Sequence, residues 1–305
     1  MTWSSMDDAR RAGVGTDRRL PTFIVIGAMK GGTTSLFHYL DEHPQVHMSP
    51  LKEVDFFVEE INWDRGIDWY ARQFDGAGPN TRAIGEASTI YTKYPQHRGV
   101  PERIRAHLPD VRLIYVVRDP IERLRSHFQH RALVGSERRP LADALEADPS
   151  YIDTSRYGMQ LERYLEYFPR EQIHILTSED LRSSRAETLR GVFGFIGVDQ
   201  SFVPPSIERE FYKTEDRAQY PSFAWKVRRF AKRYLPHSKR AKELVDSLMP
   251  RVLGRRPAAV TTDGASRSTV SLPDDVADRI RAIFAEDVAL LRRSMPPDFN
   301  GWGLA

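Results

Sequence analysis

Residues 21–44 read PTFIVIGAMKGGTTSLFHYLDEHP, and this stretch decides the fold of the chain. Phe23–Ile26 is a short apolar run bounded by a proline and a glycine, which predicts a buried strand. The glycine-rich segment Gly27–Gly32 follows, and apolar residues then recur at helical spacing until His43-Pro44 ends the pattern. A strand, a glycine-rich turn and a helix in this order are the opening unit of an α/β fold.

Further along the chain, buried strands alternate with amphipathic helices. Leu113–Val117 and Ile173–Leu176 are predicted strands, and helical periodicity runs through Ile121–Phe128, Tyr157–Phe168 and Asp274–Arg293. Strands that alternate with helices predict a mainly parallel sheet with helices on both faces. The expected fold class is therefore α/β, with a P-loop-like parallel sheet flanked by helices.

Composition narrows the class of protein further. The chain has 305 residues, of which 40% are hydrophobic and 29% charged, and it contains no cysteine. These values are typical of a globular protein and exclude fibrous and fully disordered classes, disulfide frameworks and thiolate nucleophiles. No apolar run approaches the roughly 20 residues of a membrane-spanning helix. We expect a cytoplasmic protein with a flexible lead over residues 1–20 and a single domain over residues 21–305.

Basic charge is concentrated in one segment. The formal net charge is +3, yet 222–256 holds eleven Lys or Arg and only two acidic residues, so the rest of the chain is acidic. This distribution argues against a nucleic-acid-binding protein. Within the segment, 223–235 has the pattern of a basic amphipathic helix. Such a helix could hold an anionic glycan or make peripheral contact with the inner face of a membrane, and the alternative is an ordinary surface helix.

The glycine-rich turn is predicted to bind a phosphate or sulfonate group. Backbone N–H groups at the positive end of a helix suit such an anion, Lys30 adds a charge, and Thr33 and Thr34 add hydroxyl donors. The turn is not a Walker A motif, because Gly32 stands where that motif requires lysine. Arg118 follows the second strand and suits an anion better than a metal ion. The alternative is a tight turn whose lysine is only solvated.

Several short motifs then follow one another in the chain. They are Lys30-Gly31-Gly32-Thr33-Thr34, Glu53-Val54-Asp55-Phe56-Phe57, Gly66-Ile67-Asp68-Trp69-Tyr70, Gly85-Glu86-Ala87-Ser88, Arg118-Asp119-Pro120 with Arg123 and Ser126, Tyr157-Gly158 and Gly301-Trp302. Together they resemble the sulfotransferases that use 3′-phosphoadenosine 5′-phosphosulfate (PAPS), in particular the heparan-sulfate and related carbohydrate branch. The resemblance covers about residues 21–303 and implies the sulfotransferase fold.

The resemblance implies a role for particular residues. Glu53 corresponds to the catalytic base, and Lys30 to the cation that stabilises the leaving phosphate. The implied contacts to PAPS and to its product, adenosine 3′,5′-bisphosphate (PAP), come from Lys30, Gly31, Gly32, Thr33, Thr34, Ser35, Arg118, Ser126, Tyr157 and Arg267, with no metal ion required. An alternative for Lys30 is ground-state phosphate binding alone. An alternative for Arg118 is a structural pair with Asp119.

Other assignments stay open at the level of sequence. His47 and His127 are rival bases, Arg123 belongs to the phosphate motif but could instead face solvent, and Lys52 is left unassigned. A half-buried Glu53 would have a raised pKa. Ala87 and Asp55 stand where some family members carry lysine and histidine. The acceptor class therefore remains open among a carbohydrate, a glycolipid and another small molecule. Two alternative functions are a P-loop-type phosphotransferase or kinase and a non-catalytic module that binds PAP.

Overall fold

The computed structural model describes residues 18–209, 211 and 273–304, and the fold is built on one parallel sheet. Its five strands lie in the order β2-β3-β1-β4-β5. Their bounds are β1 Phe23–Gly27, β2 Val46–Met48, β3 Ala83–Ala87, β4 Arg112–Val117 and β5 Ile173–Thr177. This arrangement confirms the predicted α/β class.

Helices connect the strands and cover the sheet. In the described ranges they are α1 Thr33–Asp41, α2 Gly66–Ala71, α3 Val100–His107, α4 Pro120–Leu133, α5 Leu141–Ala147, α6 Ser150–Asp153, α7 Tyr157–Leu165, α8 Asp180–Ser183, α9 Arg185–Ile196 and α10 Asp274–Arg292. Short 3₁₀ helices cover Trp63–Arg65, Arg72–Phe74, Thr89–Thr92, Arg170–Gln172 and Gly301–Gly303. None of the described helices has the length and apolar character needed to cross a bilayer.

The sheet is buried on both faces because its central strands are apolar throughout. Every residue of β1 is buried, as are the last five residues of β4. One face packs on an aromatic cluster that includes Phe56, Phe57 and Tyr70, and the other packs on α1 and α9. Strands buried on both sides lose the alternation of polar and apolar residues, which is why they are apparent in the sequence as continuous apolar runs.

Two strands, β2 and β3, were not predicted from the sequence. β2 has only three residues, and β3 reads Ala-Ile-Gly-Glu-Ala, so neither forms an apolar run. The glycine of β3 is required by packing, because a Cβ atom on Gly85 would lie 2.1 Å from the Phe23 ring. The predicted strands and helices that lie in the described ranges are confirmed to within a few residues at their ends.

All strands are parallel, so their carboxyl ends meet at one edge of the sheet. At this edge Ala28 N–H donates to Val116 O at 2.7 Å, and Ser88 N–H donates to Val25 O at 3.1 Å. β1 and β4 are neighbours, and the connection after β1 runs toward β2 at one edge whereas the connection after β4 runs toward β5 at the other. Ligands of open α/β sheets bind in the crevice at such a point.

The C-terminal helix braces the start of α7. The Asp287 carboxylate of α10 accepts the N–H groups of Gly158 and Met159, both at 2.8 Å. The two helices approach so closely that a Cβ atom on Gly158 would lie 2.4 Å from Asp287 O. Some predicted features lie outside the described residues. They are the basic helix 223–235, the remainder of 222–256, Arg267 and residues 1–17.

Candidate active site

The loop after β1 wraps over the end of β4. Gly31 lies so close to this strand that a Cβ atom would be 2.6 Å from Val116 O. Lys30 and Gly32 both have left-handed backbone conformations, with φ of 71° and 98°. The tight path places Gly32 at the amino end of α1, where the first amides of a helix lack partners inside the helix. This geometry suits an anion at the turn.

The loop residues are not equivalent as donors. The Gly31 N–H donates to Ala28 O at 2.9 Å, so this amide already serves the turn itself. The hydroxyl of Ser35 is shared with the backbone of Phe211, at 3.3 Å from both its N and its O. Gly32, Thr33 and Thr34 supply the remaining amides at the helix start. The cradle therefore centres on these three residues and on Lys30.

Glu53 lies at the same edge of the sheet as this loop, because its segment is joined to the end of β3, which pairs with β1. Its N–H donates to Ala87 O at 2.8 Å, and its φ of 65° is unusual for a residue with a side chain. One carboxylate oxygen, Oε2, accepts from Thr89 N at 2.8 Å and Thr89 Oγ1 at 3.1 Å. The other oxygen, Oε1, accepts from Lys52 Nζ at 2.5 Å. The carboxylate is fixed in place, and its side chain is 37% exposed.

The prediction that the pKa of Glu53 is raised is wrong. Burial acts in that direction, but the charge of Lys52 and hydrogen bonds from Lys52 and Thr89 outweigh it, so the pKa lies below its usual value. The sequence around Glu53 shows the neighbouring phenylalanines, which favour burial. It does not show Thr89, which lies 36 residues away and donates to the carboxylate. Glu53 is therefore ionised at neutral pH, as a group that accepts a proton must be.

A second group of residues surrounds the start of α4. Asp119 caps this helix by accepting from Ile121 N at 2.8 Å and Glu122 N at 3.0 Å. Arg118 does not pair with Asp119, as the structural alternative supposed, but lies 3.7 Å from Glu122. Ser126 is on the same helix and is 9% exposed. Arg118 and Ser126 thus come from the strand end and the helix that follows it, as predicted for a phosphate contact.

Tyr157 is the most informative of the predicted nucleotide contacts. Its side chain is fully buried; the Arg118 backbone approaches its hydroxyl, but no hydrogen bond of ordinary geometry satisfies that hydroxyl among the described residues. Burial raises the pKa of this phenol well above its usual value. A buried hydroxyl without a partner is costly, and such atoms in native proteins call for a ligand, water or ion. Tyr157 therefore fits a site that receives a polar ligand.

Arg123 does not face solvent, as the sequence had allowed, but is buried in the protein. The guanidinium is fully buried, and its Nε donates to Ser155 Oγ at 2.6 Å. It also donates to Tyr151 O and lies 3.3 Å from His127 Nδ1. Burial lowers the pKa of Arg123 to about 10. These contacts tie α4 to the turn after α6, which makes Arg123 a structural strut beneath the site.

Neither rival histidine is placed beside Glu53. His127 is buried next to Arg123, and desolvation and this positive charge lower its pKa far below the usual value. His47 lies on the edge strand β2 and lines a separate cavity of about 500 Å³ with Trp69 and Gln73. Burial also lowers the pKa of His47. Glu53 is the better-placed base.

Two charged residues of the site were given no role from the sequence, although Glu86 stands in one of the motifs quoted above. Lys93 follows the 3₁₀ helix that holds Glu53, and burial lowers its pKa while Glu53 and Asp55 oppose that shift. Glu86, in the middle of β3, is completely buried and carries a raised pKa of about 7 because of that burial. A glutamate inside a strand is the signal that could have indicated Glu86, whereas nothing in the local pattern marks Lys93.

Comparisons with known proteins agree with this arrangement. A family described as the sulfotransferase domain matches residues 20–229. Over 205 residues the chain is 31% identical to mouse heparan sulfate glucosamine 3-O-sulfotransferase 5, which covers 63% of this chain and 56% of that protein. Over 201 residues it is 29% identical to human bifunctional heparan sulfate N-deacetylase/N-sulfotransferase 2, with coverages of 59% and 22%. The chain thus spans little more than half, or less, of these curated relatives.

A solved structure supports the same fold. The crystal structure of a sulfotransferase from Alicyclobacillus acidocaldarius superimposes with a TM-score of 0.57 at 28% sequence identity. The match covers 75% of this chain and 96% of that protein. The similarity therefore includes nearly the whole of the solved domain, with the parallel sheet at its centre.

Proposed function

Because this chain belongs to the sulfotransferase domain family, we propose that it transfers a sulfuryl group from PAPS to a hydroxyl or amino group of a carbohydrate, leaving PAP. The observation that carries the proposal is the position of Glu53. Its carboxylate is held by Thr89 at the end of β3, next to the strand that leads into the Lys30 loop. An ionised base beside an anion-binding turn is what sulfuryl transfer requires.

The donor side of the site fits PAPS through charge and hydrogen-bond donors. Lys30 and the amides of Gly32–Thr34 would hold the 5′-phosphosulfate, and Arg118 and Ser126 the 3′-phosphate. Tyr157 brings a buried hydroxyl that no hydrogen bond of ordinary geometry satisfies in the described part of the chain. We further propose that Lys30 stabilises the charge that develops on the leaving phosphate, in addition to binding it. Arg267 remains a proposed contact from outside the described residues.

On the acceptor side, Glu53 would remove the proton from the attacking group. Its lowered pKa keeps it ionised at neutral pH, while the Thr89 hydrogen bonds orient the carboxylate. Lys52 shares the other oxygen, so an acceptor that approaches Oε1 would compete with this ion pair. The choice of a carbohydrate rests on the names of the relatives, which act on heparan sulfate. Transfer experiments distinguish a carbohydrate acceptor from a glycolipid or another small acceptor.

Two measurements test the proposal. Calorimetry should detect PAP binding in the presence of EDTA, because the proposed phosphate contacts are protein groups only. Transfer of ³⁵S from labelled PAPS should then occur to chemically desulfated heparin. Labelling of a glycolipid or a small phenol instead would change the acceptor but keep the reaction. Magnesium-dependent consumption of ATP, or PAP binding without transfer to any acceptor, would contradict the proposed function.

A further inference from the structure

Glu86 lies directly beneath the segment that carries Glu53, inside a cage of hydroxyl groups. Its Oε1 accepts from Tyr70 Oη at 2.6 Å and from Tyr91 Oη at 3.0 Å. Its Oε2 accepts from Ser88 Oγ at 2.6 Å. All four side chains are buried, and the three hydroxyls come from α2 and from the stretch that follows β3. The proposed reaction does not use this group directly.

Two of these hydroxyls connect Glu86 to the base-bearing segment. Ser88 Oγ accepts the Asp55 N–H at 3.0 Å, and Tyr91 Oη accepts the Phe57 N–H at 3.3 Å. A hydroxyl has a single hydrogen, and donating it to Glu86 leaves the oxygen lone pairs for the amides. The ionised carboxylate therefore sets the direction of both hydrogen-bond chains.

The segment held in this way needs such anchors. Glu53 and Asp55 have φ of 65° and 55°, in the left-handed region that is unfavourable for a residue with a Cβ atom. Strained backbone persists only where surrounding contacts over-determine it. Without the bonds to Asp55 and Phe57, the segment would relax toward ordinary conformations and move the Glu53 carboxylate.

We propose that Glu86 is a positioning residue, whose ionised carboxylate holds residues 53–57 through Ser88 and Tyr91 and thereby places Glu53 for proton abstraction. The catalytic part of this inference rests on the proposed function, whereas the structural part does not. Glu86 itself contacts neither donor nor acceptor, so its effect on turnover is indirect.

Protonation of Glu86 would disturb both chains. A proton on the carboxyl group adds a hydrogen where three hydroxyls already donate, so one of them must turn its own hydrogen away. If the Ser88 or Tyr91 hydroxyl turns, its hydrogen points at the backbone N–H group that the same oxygen had accepted. If the Tyr70 hydroxyl turns, a buried donor loses its acceptor.

The change should occur near neutral pH, because burial raises the pKa of Glu86 to about 7. The titratable groups around it are Tyr70 of α2, Tyr91 of the 3₁₀ helix, Tyr164 of α7 and the carboxylates of Glu53 and Asp55. The tyrosines stay neutral throughout this range because their pKa values are raised. Glu53 stays ionised because its pKa is lowered.

The experiment compares the intact chain with Glu86→Gln, whose side-chain amide accepts hydrogen bonds through its oxygen but not through its nitrogen. Hydrogen exchange of residues 53–57, corrected for the intrinsic pH dependence, should be faster at pH 6 than at pH 8 in the unmodified protein. In Glu86→Gln the exchange of these residues should be fast at both pH values. With desulfated heparin as probe, we expect kcat to fall about tenfold at pH 8 and PAP affinity to stay within about twofold. The decline of kcat below pH ~7 should disappear.

Controls separate this inference from the proposed function and from misfolding. Glu137→Gln alters another buried glutamate, which bonds Arg139 and Tyr151, and should leave exchange at residues 53–57 unchanged. If Glu86→Gln does not fold, Ser88→Ala should still speed exchange at Asp55 and lower kcat. Equal exchange in Glu86→Gln and the unmodified protein, or a flat kcat between pH 8 and pH 5, would overturn the inference. Absence of transfer by the unmodified protein would refute the proposed function and leave the exchange result valid.

Discussion

Lys30 and Glu53 are both held in left-handed backbone conformations, with φ of 71° and 65°. Such conformations are rare for residues with a side chain and concentrate at functional sites. Each is maintained by contacts from elsewhere in the fold: the Lys30 loop by the end of β4, and Glu53 by Ala87 and Thr89. The two residues to which we assign chemistry are thus among the four described non-glycine residues with positive φ, the others being Asp55 and Trp302.

Substitution of Glu53 tests its role as the base. Glu53→Gln keeps the size of the side chain but removes the charge that accepts a proton, so we expect transfer to fall by at least about a hundredfold. PAP affinity should stay within about twofold, since Glu53 is not a proposed nucleotide contact. Glu59→Gln is the matched control, because that exposed side chain makes only a 3.4 Å pair with Arg103. Full turnover by Glu53→Gln would remove it from the role.

Tyr157→Phe should have opposite effects on stability and on binding. No hydrogen bond of ordinary geometry satisfies this buried hydroxyl in the described part of the chain, so its removal should leave the free energy of unfolding unchanged or slightly higher. If the hydroxyl contacts the nucleotide, PAP affinity should fall about tenfold. Denaturant titration and calorimetry on the same variant measure the two quantities. A loss of stability with unchanged affinity would show that the hydroxyl serves the fold instead.

The Lys30→Ala variant distinguishes binding from catalysis. A lysine that only binds phosphate would raise KM when removed and leave kcat nearly intact, whereas one that stabilises the developing charge lowers kcat more than it raises KM. We expect kcat to fall by about a hundredfold. Steady-state kinetics with varied PAPS provide the measurement, and a change confined to KM would favour the ground-state alternative.

Helix α7 is the element whose placement depends most on a distant partner. Tyr157 is its first residue, and the N–H groups of Gly158 and Met159 are satisfied by Asp287 of α10. An acidic side chain at a helix amino terminus stabilises that helix, although this one comes from a different part of the chain. The C-terminal helix therefore determines where a nucleotide contact lies.

Gly158→Ala tests this close approach. The added Cβ would lie 2.4 Å from Asp287 O, a backbone atom that cannot turn aside. Separation of the two helices should lower the free energy of unfolding by about 1–3 kcal/mol and weaken PAP binding through Tyr157. Gly78→Ala is the matched control, because a Cβ there meets nothing within 4 Å. Urea denaturation measures both variants, and equal stabilities would contradict the packing argument.

Across the molecule, two buried carboxyl groups make stability depend on pH. Burial raises the pKa of Glu86 to about 7 and that of Asp287 to about 6. Their folded forms hold a proton that the unfolded chain releases at lower pH. The stability that each contributes is thus complete below its unfolded pKa and is lost as pH rises through its folded pKa.

The part of the free energy of unfolding that Glu86 contributes should therefore decline between pH ~5 and ~7, while the buried His127 and His174, whose pKa values are lowered, change stability in the opposite direction below pH ~6.5. One pKa unit corresponds to about 1.4 kcal/mol, so the Glu86 shift alone is worth up to about 3 kcal/mol. Urea titrations at several pH values measure the difference in the free energy of unfolding between the unmodified protein and Glu86→Gln, and this difference should decline between pH ~5 and ~7. The difference between the unmodified protein and Glu137→Gln should stay constant over the same interval and is the control. A difference for Glu86→Gln that rises over this interval would contradict the direction assigned to Glu86.

The sequence by itself determined the strand, turn and helix around Lys30 and the motifs at Glu53 and Arg118. These are contiguous patterns whose chemistry needs residues close together in the chain. The tertiary structure alone decided that Arg123 is a buried strut, that Glu53 has a lowered pKa and that Glu86 supports its segment. The physical reason is that pKa values and hydrogen bonds depend on burial and on partners such as Thr89, far away in sequence.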